Sequence, residues 1–183
     1  MGFDFVKIKT IGDGSCFLHA VLGAASKDYK NSTDRQKKTM VKNLRNDLAE
    51  LIDDTRKDDK THYESINRGE MENLSKIFPE LEIENVKKFL RSREWFDQKY
   101  IEYVSDLLEI DIYIIDYKTG APYKTGDEEI LHKSRNSVII GYIRETHFET
   151  LGVFDGKKIK TFFVPDSKII KNLKNQLYLK GKN

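Results

Sequence analysis

Apolar residues recur at helical spacing in four stretches of the chain, and each stretch predicts a helix. These stretches are residues 16–25, 40–52, 95–109 and 169–177. In the first stretch, apolar side chains fill two faces, which indicates a helix buried in the core. Thr33 and Gln36 form a capping-box pattern ahead of the second stretch, and Trp95 is predicted to open the third.

Strands are predicted where β-branched and aromatic residues run together or alternate. They are expected within residues 3–11, 110–117, 137–144, 147–154 and 158–164. Asp155 and Gly156 are typical of a two-residue hairpin turn between the last two strands. Residues 122–135 are expected to form a loop.

Residues 62–93 carry only short, patchy helical rows separated by breaks. This pattern predicts a helical lobe packed lightly on the core. It fits an insertion with no partner as well as it fits an arm that binds another protein. The chain has no internal repeat and no low-complexity tract, so its 183 residues predict a single domain, 1–183.

Composition narrows the class of protein. Hydrophobic residues make up 38% and charged residues 34%, which is typical of a polar globular protein. The net charge of +2, from 32 basic and 30 acidic residues, argues against a broad nucleic-acid-binding surface. No segment approaches the roughly 20 apolar residues of a membrane span, and the N-terminus lacks a signal-peptide pattern. A single cysteine cannot form an internal disulfide, so a reducing compartment such as the cytoplasm is expected.

That cysteine, Cys16, stands where the first predicted helix begins, directly after Asp13, Gly14 and Ser15. The unpaired N–H groups and the dipole at a helix start both favour the thiolate, which is the nucleophilic form. Asp13 is predicted to be the N-cap, and Gly14 would let the turn close and let another chain approach closely. Most buried cysteines are inert, so the position alone favours a structural role. The polar turn aimed at the helix start favours a nucleophile.

A cysteine nucleophile needs a base, and the chain has four histidines. His62 and His132 lie in polar, loop-like surroundings and are interpreted as solvated. His19 has apolar neighbours on the first predicted helix and is interpreted as a packing residue.

His147 differs because it begins a predicted strand and precedes Glu149 by two positions. Alternate strand residues point to the same side, so the carboxylate could hold one ring nitrogen while the other faces a thiol. This is the nucleophile, base and orienter arrangement of the serine triad in general form. Spacing alone does not establish that His147 meets Cys16.

The segment from Asp13 to Phe17, followed by a small-apolar helix, resembles the catalytic cysteine motif of the ovarian-tumour (OTU) family of deubiquitinating cysteine proteases. The 95–109 helix with its following strand, and the strand that runs into His147-Phe148-Glu149, resemble the family's second and third blocks in the family's order. The likeness covers about residues 5–154, and the size is similar to that of compact viral members.

The resemblance implies an α+β fold with a small, mostly antiparallel sheet flanked by helices, a papain-like cysteine protease of the OTU type. It implies hydrolysis of the isopeptide bond between a lysine and the C-terminal glycine of ubiquitin or a ubiquitin-like modifier. No metal and no organic cofactor is needed. The expected protein is a monomer in the cytoplasm, in the host cytoplasm if it is viral. Its expected partner is ubiquitin or polyubiquitin. Binding to nucleic acid or to a membrane is not expected. The 62–93 lobe is the candidate for holding the body of the modifier.

The resemblance also implies roles for individual residues. Cys16 is the nucleophile, His147 the general base and Asp13 the residue that shapes the turn. The oxyanion hole is expected at the backbone N–H groups of Gly14, Ser15 and Cys16. Substrate contacts are expected at Phe148, Thr146 and Trp95.

Two departures from the family pattern and two alternative functions remain. The family usually has Asp or Asn where Glu149 stands, and residues 155–183 extend beyond the likeness, with a packing role expected. A catalytically weak, ubiquitin-binding pseudoenzyme would keep the fold, although the intact Asp13, Cys16 and His147 speak against it. A different thiol hydrolase would share the dyad without needing a recognition lobe. A nucleic-acid-binding module would need a basic cluster with interleaved aromatic residues, which the sequence lacks.

Overall fold

A mixed sheet forms the centre of the protein in the computed structural model, which describes residues 4–124, 132–144 and 146–178. Its strands in the described residues are β1 (Phe5–Ile8), β2 (Asp111–Asp116), β3 (Pro122–Tyr123), β4 (Ser137–Ile143), β5 (His147–Phe154), β6 (Ile159–Lys160) and β7 (Phe162–Phe163). The main order across the sheet is β1-β5-β4-β2-β3, with β6 on β5 and β7 on β4. Only β2 and β4 pair in parallel among the described strands, so the predicted mostly antiparallel sheet is confirmed.

Helices cover the sheet and are numbered here in chain order. They are α1 (Cys16–Ala25), α2 (Lys27–Lys30), α3 (Asp34–Leu51), α4 (His62–Ser65), α5 (Glu70–Ser75), α6 (Ile83–Arg91), α7 (Ile101–Leu107) and α8 (Lys168–Tyr178). The predicted capping box is present at the start of α3, where the Thr33 hydroxyl accepts from the Gln36 N–H and the Gln36 side chain accepts from the Thr33 N–H. None of the helices in the described residues has both the length and the apolar character needed to cross a membrane.

Helix α1 is buried directly against β5, as its two apolar faces predict. The Thr150 hydroxyl of β5 donates to the carbonyl of Ala20 at 2.7 Å. A Cβ added at Gly23 would lie 2.9 Å from the same hydroxyl, so the absence of a side chain there permits the close approach. The contact fixes the position of the helix that begins at Cys16.

The predicted 95–109 helix is wrong in its first part. Trp95 lies in an irregular segment and is 48% exposed, and a 3₁₀ turn over Gln98–Tyr100 precedes α7. The Asp97 carboxylate accepts from the Lys99 N–H, so the regular helix begins only after this capped turn.

The 62–93 lobe is more firmly packed than its patchy pattern predicts. Val86 and Leu90 of α6 are fully buried in the same core cluster as Leu48 of α3. The Tyr63 hydroxyl donates to the Leu81 carbonyl at 2.7 Å. The light packing predicted from the breaks is therefore wrong, because each short helix places a few large side chains in the core.

The C-terminal segment closes the opposite face of the sheet. Ile169, Ile170 and Leu173 of α8 pack with Phe163 in a second apolar cluster. The hairpin before it has a longer loop than the two residues predicted, because the Asp155 carboxylate accepts from the N–H groups at 157 and 158.

The interpretation of two histidines as solvated needs correction. His132 is buried, stacked on Tyr113 with ring centroids 4.0 Å apart, and its Nε2 lies 3.1 Å from the Ile112 carbonyl. Burial lowers the pKa of His132 to about 4. His62 is half-buried against the ring of Tyr103. Of the predicted 122–135 loop, Pro122 and Tyr123 form β3, and residues 125–131 lie outside the described residues.

Candidate active site

The turn before α1 is closed by Asp13. The Ser15 N–H donates to Asp13 Oδ1 at 2.8 Å, and the Cys16 N–H donates to the Asp13 carbonyl at 3.1 Å. Asp13 is therefore not the N-cap that the sequence predicts: Ser15 occupies that position, and its side chain makes no capping hydrogen bond. The Asp13 side chain instead folds the turn that places Cys16 at the start of the helix.

Gly14 lets the turn pack against the protein's own chain. A Cβ at Gly14 would lie 2.1 Å from the Arg93 carbonyl, a distance that no side chain can occupy. The Phe96 N–H donates to the Gly14 carbonyl at 2.9 Å. The close approach predicted for another chain is thus made by the protein's own residues 93–96, and any larger residue at position 14 would push that segment away.

The Cys16 thiol is buried and lies at the start of β5. The residue is 1% exposed, and its burial raises the pKa of the thiol. Hydrogen bonds from the backbone N–H groups of Phe148, Phe17 and Cys16 itself act in the opposite direction, and the charge of Asp13 adds to the rise. The lowered pKa that we expected from the helix start is therefore wrong as a net result, because burial outweighs the N–H groups.

His147 and Cys16 lie at neighbouring positions in space, although most of the chain separates them. The Cys16 thiol accepts a hydrogen bond from the backbone N–H of Phe148, the residue directly after His147. The position of a Cβ at Gly12 would be 3.8 Å from Cε1 of His147, so the imidazole also lies against the segment before the turn. The rings of Phe17 and Phe148, which follow Cys16 and His147 in the sequence, pack edge to face with their centroids 5.4 Å apart.

Glu149 shares the face of His147, as the strand periodicity predicts. Its Oε1 lies 3.6 Å from His147 Nε2, and its Oε2 lies 3.7 Å from Lys7 Nζ on β1. The Glu149 side chain is 11% exposed, whereas that of His147 is 26% exposed. Nε2 therefore faces the carboxylate, and Nδ1 is the nitrogen on the other side of the ring. Sequence reasoning missed Lys7, because only strand pairing brings β1 beside β5.

A series of hydrogen bonds through His19 and Tyr29 positions the Asp13 carboxylate. Asp13 Oδ2 lies 3.2 Å from His19 Nε2, and His19 Nδ1 lies 2.6 Å from the Tyr29 hydroxyl. Burial lowers the pKa of His19, which favours the neutral ring. A carboxylate only accepts, so Nε2 donates to Asp13 and Nδ1 accepts from Tyr29. His19 is buried as a packing residue would be, but it also has this polar function.

Arg45 is a second residue at the site, after Lys7, that the sequence analysis missed. It is buried, and Nη1 donates to Ser15 Oγ at 2.7 Å and to the Glu94 carbonyl at 3.0 Å. Nε and Nη2 donate to the carbonyls of Leu90 and Phe89 at the end of α6. The signal in the sequence is a single arginine on the apolar face of α3, between Val41 and Leu48.

The three residues predicted to contact the substrate differ in their exposure. Trp95 and Thr146 are exposed. The Phe148 side chain is buried between the rings of Phe17 and Tyr142, so only its backbone can reach a substrate. Within the described part of the chain, no group of three or more His, Cys, Asp or Glu side chains is placed to hold a metal ion.

Sequence comparison identifies the class. The profile of the OTU family, described as an OTU-like cysteine protease, matches residues 11–148. The chain therefore belongs to the OTU-like cysteine proteases. Comparison with curated protein sequences finds no match.

Two solved structures have the same fold, and a third is less similar. An ovarian-tumour domain in complex with ubiquitin is 16% identical, with a TM-score of 0.56 over 96% of this chain and 87% of that one. An OTU deubiquitinase from Wolbachia pipientis wMel is 15% identical, with a TM-score of 0.52 over 84% of this chain and 91% of that one. The viral OTU domain protease from Qalyub virus is 18% identical, with a TM-score of 0.47 over 82% of this chain and 85% of that one.

Proposed function

We propose that the protein is a deubiquitinase that hydrolyses isopeptide bonds at the C-terminal glycine of ubiquitin or a ubiquitin-like modifier. The observation that carries the proposal is the contact of the Cys16 thiol with the start of β5, beside a histidine whose far nitrogen faces a carboxylate. Family membership as an OTU-like cysteine protease supports the reaction class. The similar ovarian-tumour domain bound to ubiquitin supports the substrate.

In the proposed mechanism, the resting thiol is protonated, in agreement with the raised pKa of Cys16. Nδ1 of His147 takes the proton as the sulfur attacks the carbonyl carbon of the modifier's last glycine. His147 then gives the proton to the lysine amine as the C–N bond breaks, and a thioester remains on Cys16. Water, deprotonated by His147, hydrolyses the thioester and restores the thiol.

Glu149 stabilises the imidazolium formed in the first step. At 3.6 Å from Nε2 the carboxylate acts by its charge, and a small movement would make a hydrogen bond. Asp13 has a different role, because its two carboxylate oxygens are engaged by the Ser15 N–H and by His19. We therefore assign the orientation of His147 to Glu149 and the shape of the turn to Asp13.

The proposed oxyanion hole needs a change in the turn. The N–H groups of Ser15 and Cys16 both donate to Asp13 in this structure. When a tetrahedral oxyanion forms, these donors would exchange Asp13 for the substrate oxygen, together with the Gly14 N–H. A preorganised donor is worth roughly 3–4 kcal/mol in acyl transfer, and the donors here would contribute less because their hydrogen bonds to Asp13 must break first.

We propose that the 62–93 lobe holds the body of the modifier. Two large apolar side chains are exposed in the segment between α5 and α6, which we call the tip of the lobe: Ile77 at 71% and Phe78 at 45%. Exposed apolar groups of this size are a common mark of a protein-binding surface. Trp95 and Thr146 would contact the modifier's tail near the thiol. The proposed compartment is the cytoplasm, where the single thiol stays reduced.

Two alternative functions would use the same site in different ways. A pseudoenzyme would bind ubiquitin without turnover, and a thiol hydrolase for small acyl substrates would turn over without binding ubiquitin. The close contact between Cys16 and the start of β5 argues against the first. The exposed apolar tip of the lobe argues against the second.

Ubiquitin carrying a C-terminal electrophile tests the proposal. We expect one covalent adduct, on Cys16, that the C16A variant does not form. A tail-free electrophile of the same reactivity is the control and should react far more slowly. No adduct with ubiquitin or any ubiquitin-like modifier, in a protein that the small electrophile does label, would overturn the substrate assignment.

A further inference from the structure

A groove lined by cations opens at the catalytic turn and has no role in the proposed reaction. It lies between α3 and the end of α6, encloses about 600 Å³, and has the turn Asp13–Ser15 as one wall. We call it the basic groove and define it by five cationic residues. They are Arg35, Lys38, Lys42, Arg91 and Arg93.

Two elements bring these five charges together. Arg35, Lys38 and Lys42 follow one another at intervals of three and four residues, which places them on one face of α3. Arg91 ends α6, and Arg93 follows in the segment that packs on Gly14. The five side chains belong to exposed residues.

The cations of the groove form no ion pairs with described residues. Asp13 is the one carboxylate in the described lining, so the five cations outnumber the negative charge of the groove. The whole chain is nearly balanced at +2, so this excess is local. Like charges on a concave wall focus a field that attracts anions.

The lining favours one kind of anion. No Phe, Tyr or Trp lines the described part of the groove, so nucleic-acid bases would find no ring on which to stack. The rings of Phe89 and Phe96 lie against the Arg45 guanidinium. An acidic polypeptide, in contrast, would bind to the cationic side chains and needs no aromatic ring.

We propose that the basic groove binds an acidic segment of the protein to which the modifier is attached. The inference rests on the proposed deubiquitinase function. Asp13, Gly14 and Ser15, which directly precede Cys16, form one wall of the groove. In this proposal, a polypeptide whose lysine is seated at the thiol reaches the groove across that turn. The apolar tip of the lobe, with Ile77 and Phe78, is the surface assigned to the modifier's body. The groove thus selects among conjugates by their charge next to the modified lysine.

Three ubiquitin substrates test this selection. One carries an isopeptide-linked peptide with Glu and Asp around the lysine, the second the same peptide with Gln and Asn, and the third a neutral fluorophore. We expect kcat/KM at low salt to be roughly 10-fold higher for the acidic peptide than for the neutral one, because two or three exposed ion pairs supply about that factor. The preference should disappear at 0.5 M salt.

The variant K38E/K42E should lose the preference or reverse it, with the fluorogenic substrate cleaved at the wild-type rate. The matched control is K57E/K60E, which makes the same charge change at exposed lysines in the turn after α3 and should keep the preference. Equal cleavage of both peptides by the wild type would overturn the proposal. An equal loss on the fluorogenic substrate would also overturn it, because the groove would then act on the turn or on the modifier.

Binding of the free acidic peptide to the C16A protein, followed by fluorescence anisotropy, separates this proposal from the proposed function. Binding that K38E/K42E abolishes supports the groove even if no ubiquitin substrate is cleaved, which would overturn only the deubiquitinase assignment. No binding above that of the neutral peptide overturns the groove. Tighter binding of a single-stranded oligonucleotide of equal charge would assign the groove to nucleic acid instead.

Discussion

Arg45 donates a hydrogen bond of 2.7 Å to the hydroxyl of Ser15, the residue directly before the candidate nucleophile. The same guanidinium holds carbonyls at the end of α6 and at Glu94. It therefore connects the catalytic turn to the last helix of the proposed modifier-binding lobe. A buried arginine in this position fixes the turn before Cys16.

We expect R45M to lower kcat for a fluorogenic ubiquitin substrate by roughly 10–100-fold, because the turn loses its support and Cys16 shifts relative to β5. The free energy of unfolding should fall by about 3 kcal/mol, since several buried carbonyls lose their donor. S15A is the matched control because it removes one hydrogen bond only and should be several-fold milder. Guanidinium added to an R45G variant should restore part of kcat. A folded R45M protein with wild-type kcat would limit Arg45 to a role in stability.

The assignment of the base rests on comparing two histidines near the thiol. We expect H147A to lower kcat by about 10³-fold or more, because no other group in the proposed mechanism accepts the proton. H19Q should keep most activity, since the Gln amide can still donate to Asp13. Kinetics with the fluorogenic substrate and circular dichroism of each variant provide the measurement. A greater loss in H19Q than in H147A would mean that the base is misassigned.

Glu149 should matter less than the aspartate of a serine triad, because its carboxylate lies 3.6 Å from the ring. We expect E149A to lower kcat by roughly 10–100-fold and E149D to be milder. K7M should have the smallest effect, since Lys7 contacts only the second carboxylate oxygen, at 3.7 Å. Wild-type rates in a folded E149A protein would leave Cys16 and His147 as a dyad.

The charge of Asp13 should be visible in the titration of the thiol. Burial raises the pKa of Cys16, and the negative charge of Asp13 raises it further because it disfavours a second negative charge nearby. We therefore expect the rate of alkylation by iodoacetamide to rise with pH up to a pKa above that of an ordinary cysteine. D13N should shift this profile to lower pH. A shift to higher pH would show that Asp13 acts on the thiol through the shape of the turn rather than through its charge.

Acid should destabilise the protein through His132. Its folded-state pKa of about 4 lies below the ordinary value of 6.5, so the unfolded chain binds the extra proton first. The contribution is complete above pH 6.5 and is lost as the pH falls towards 4, to a total of roughly 3 kcal/mol. Urea unfolding of the wild type and of H132F at several pH values measures it. Equal pH slopes for the two proteins would exclude His132 as the cause.

Much of the fold follows from periodicity, because apolar spacing reports which face of an element is buried. The helices at 16–25 and 34–51 and the strand pair before and after residue 145 agree with that pattern. The helix at Trp95 failed because a capping interaction at Asp97, two residues further on, delays the regular turns. Local chemistry decided that boundary, and apolar spacing does not detect it.

The candidate site depends more on tertiary contacts. Strand alternation places Glu149 beside His147, but only the family resemblance suggested that His147 meets Cys16. The thiol pKa was misjudged because a helix start is visible in the sequence, whereas the extent of burial is not. Lys7 and Arg45 reach the site from β1 and α3, so no spacing within the motif could reveal them.

Strand β5 has a consequence for synthesis of the protein. It carries His147, pairs with β1 near the start of the chain, and provides the surface on which α1 packs. A ribosome releases Cys16 before β5. A nascent chain that has not yet released β5 therefore has the Cys16 thiol but lacks both His147 and the strand on which α1 packs. Hydrolytic activity therefore requires translation to pass β5, and products truncated before this strand carry none.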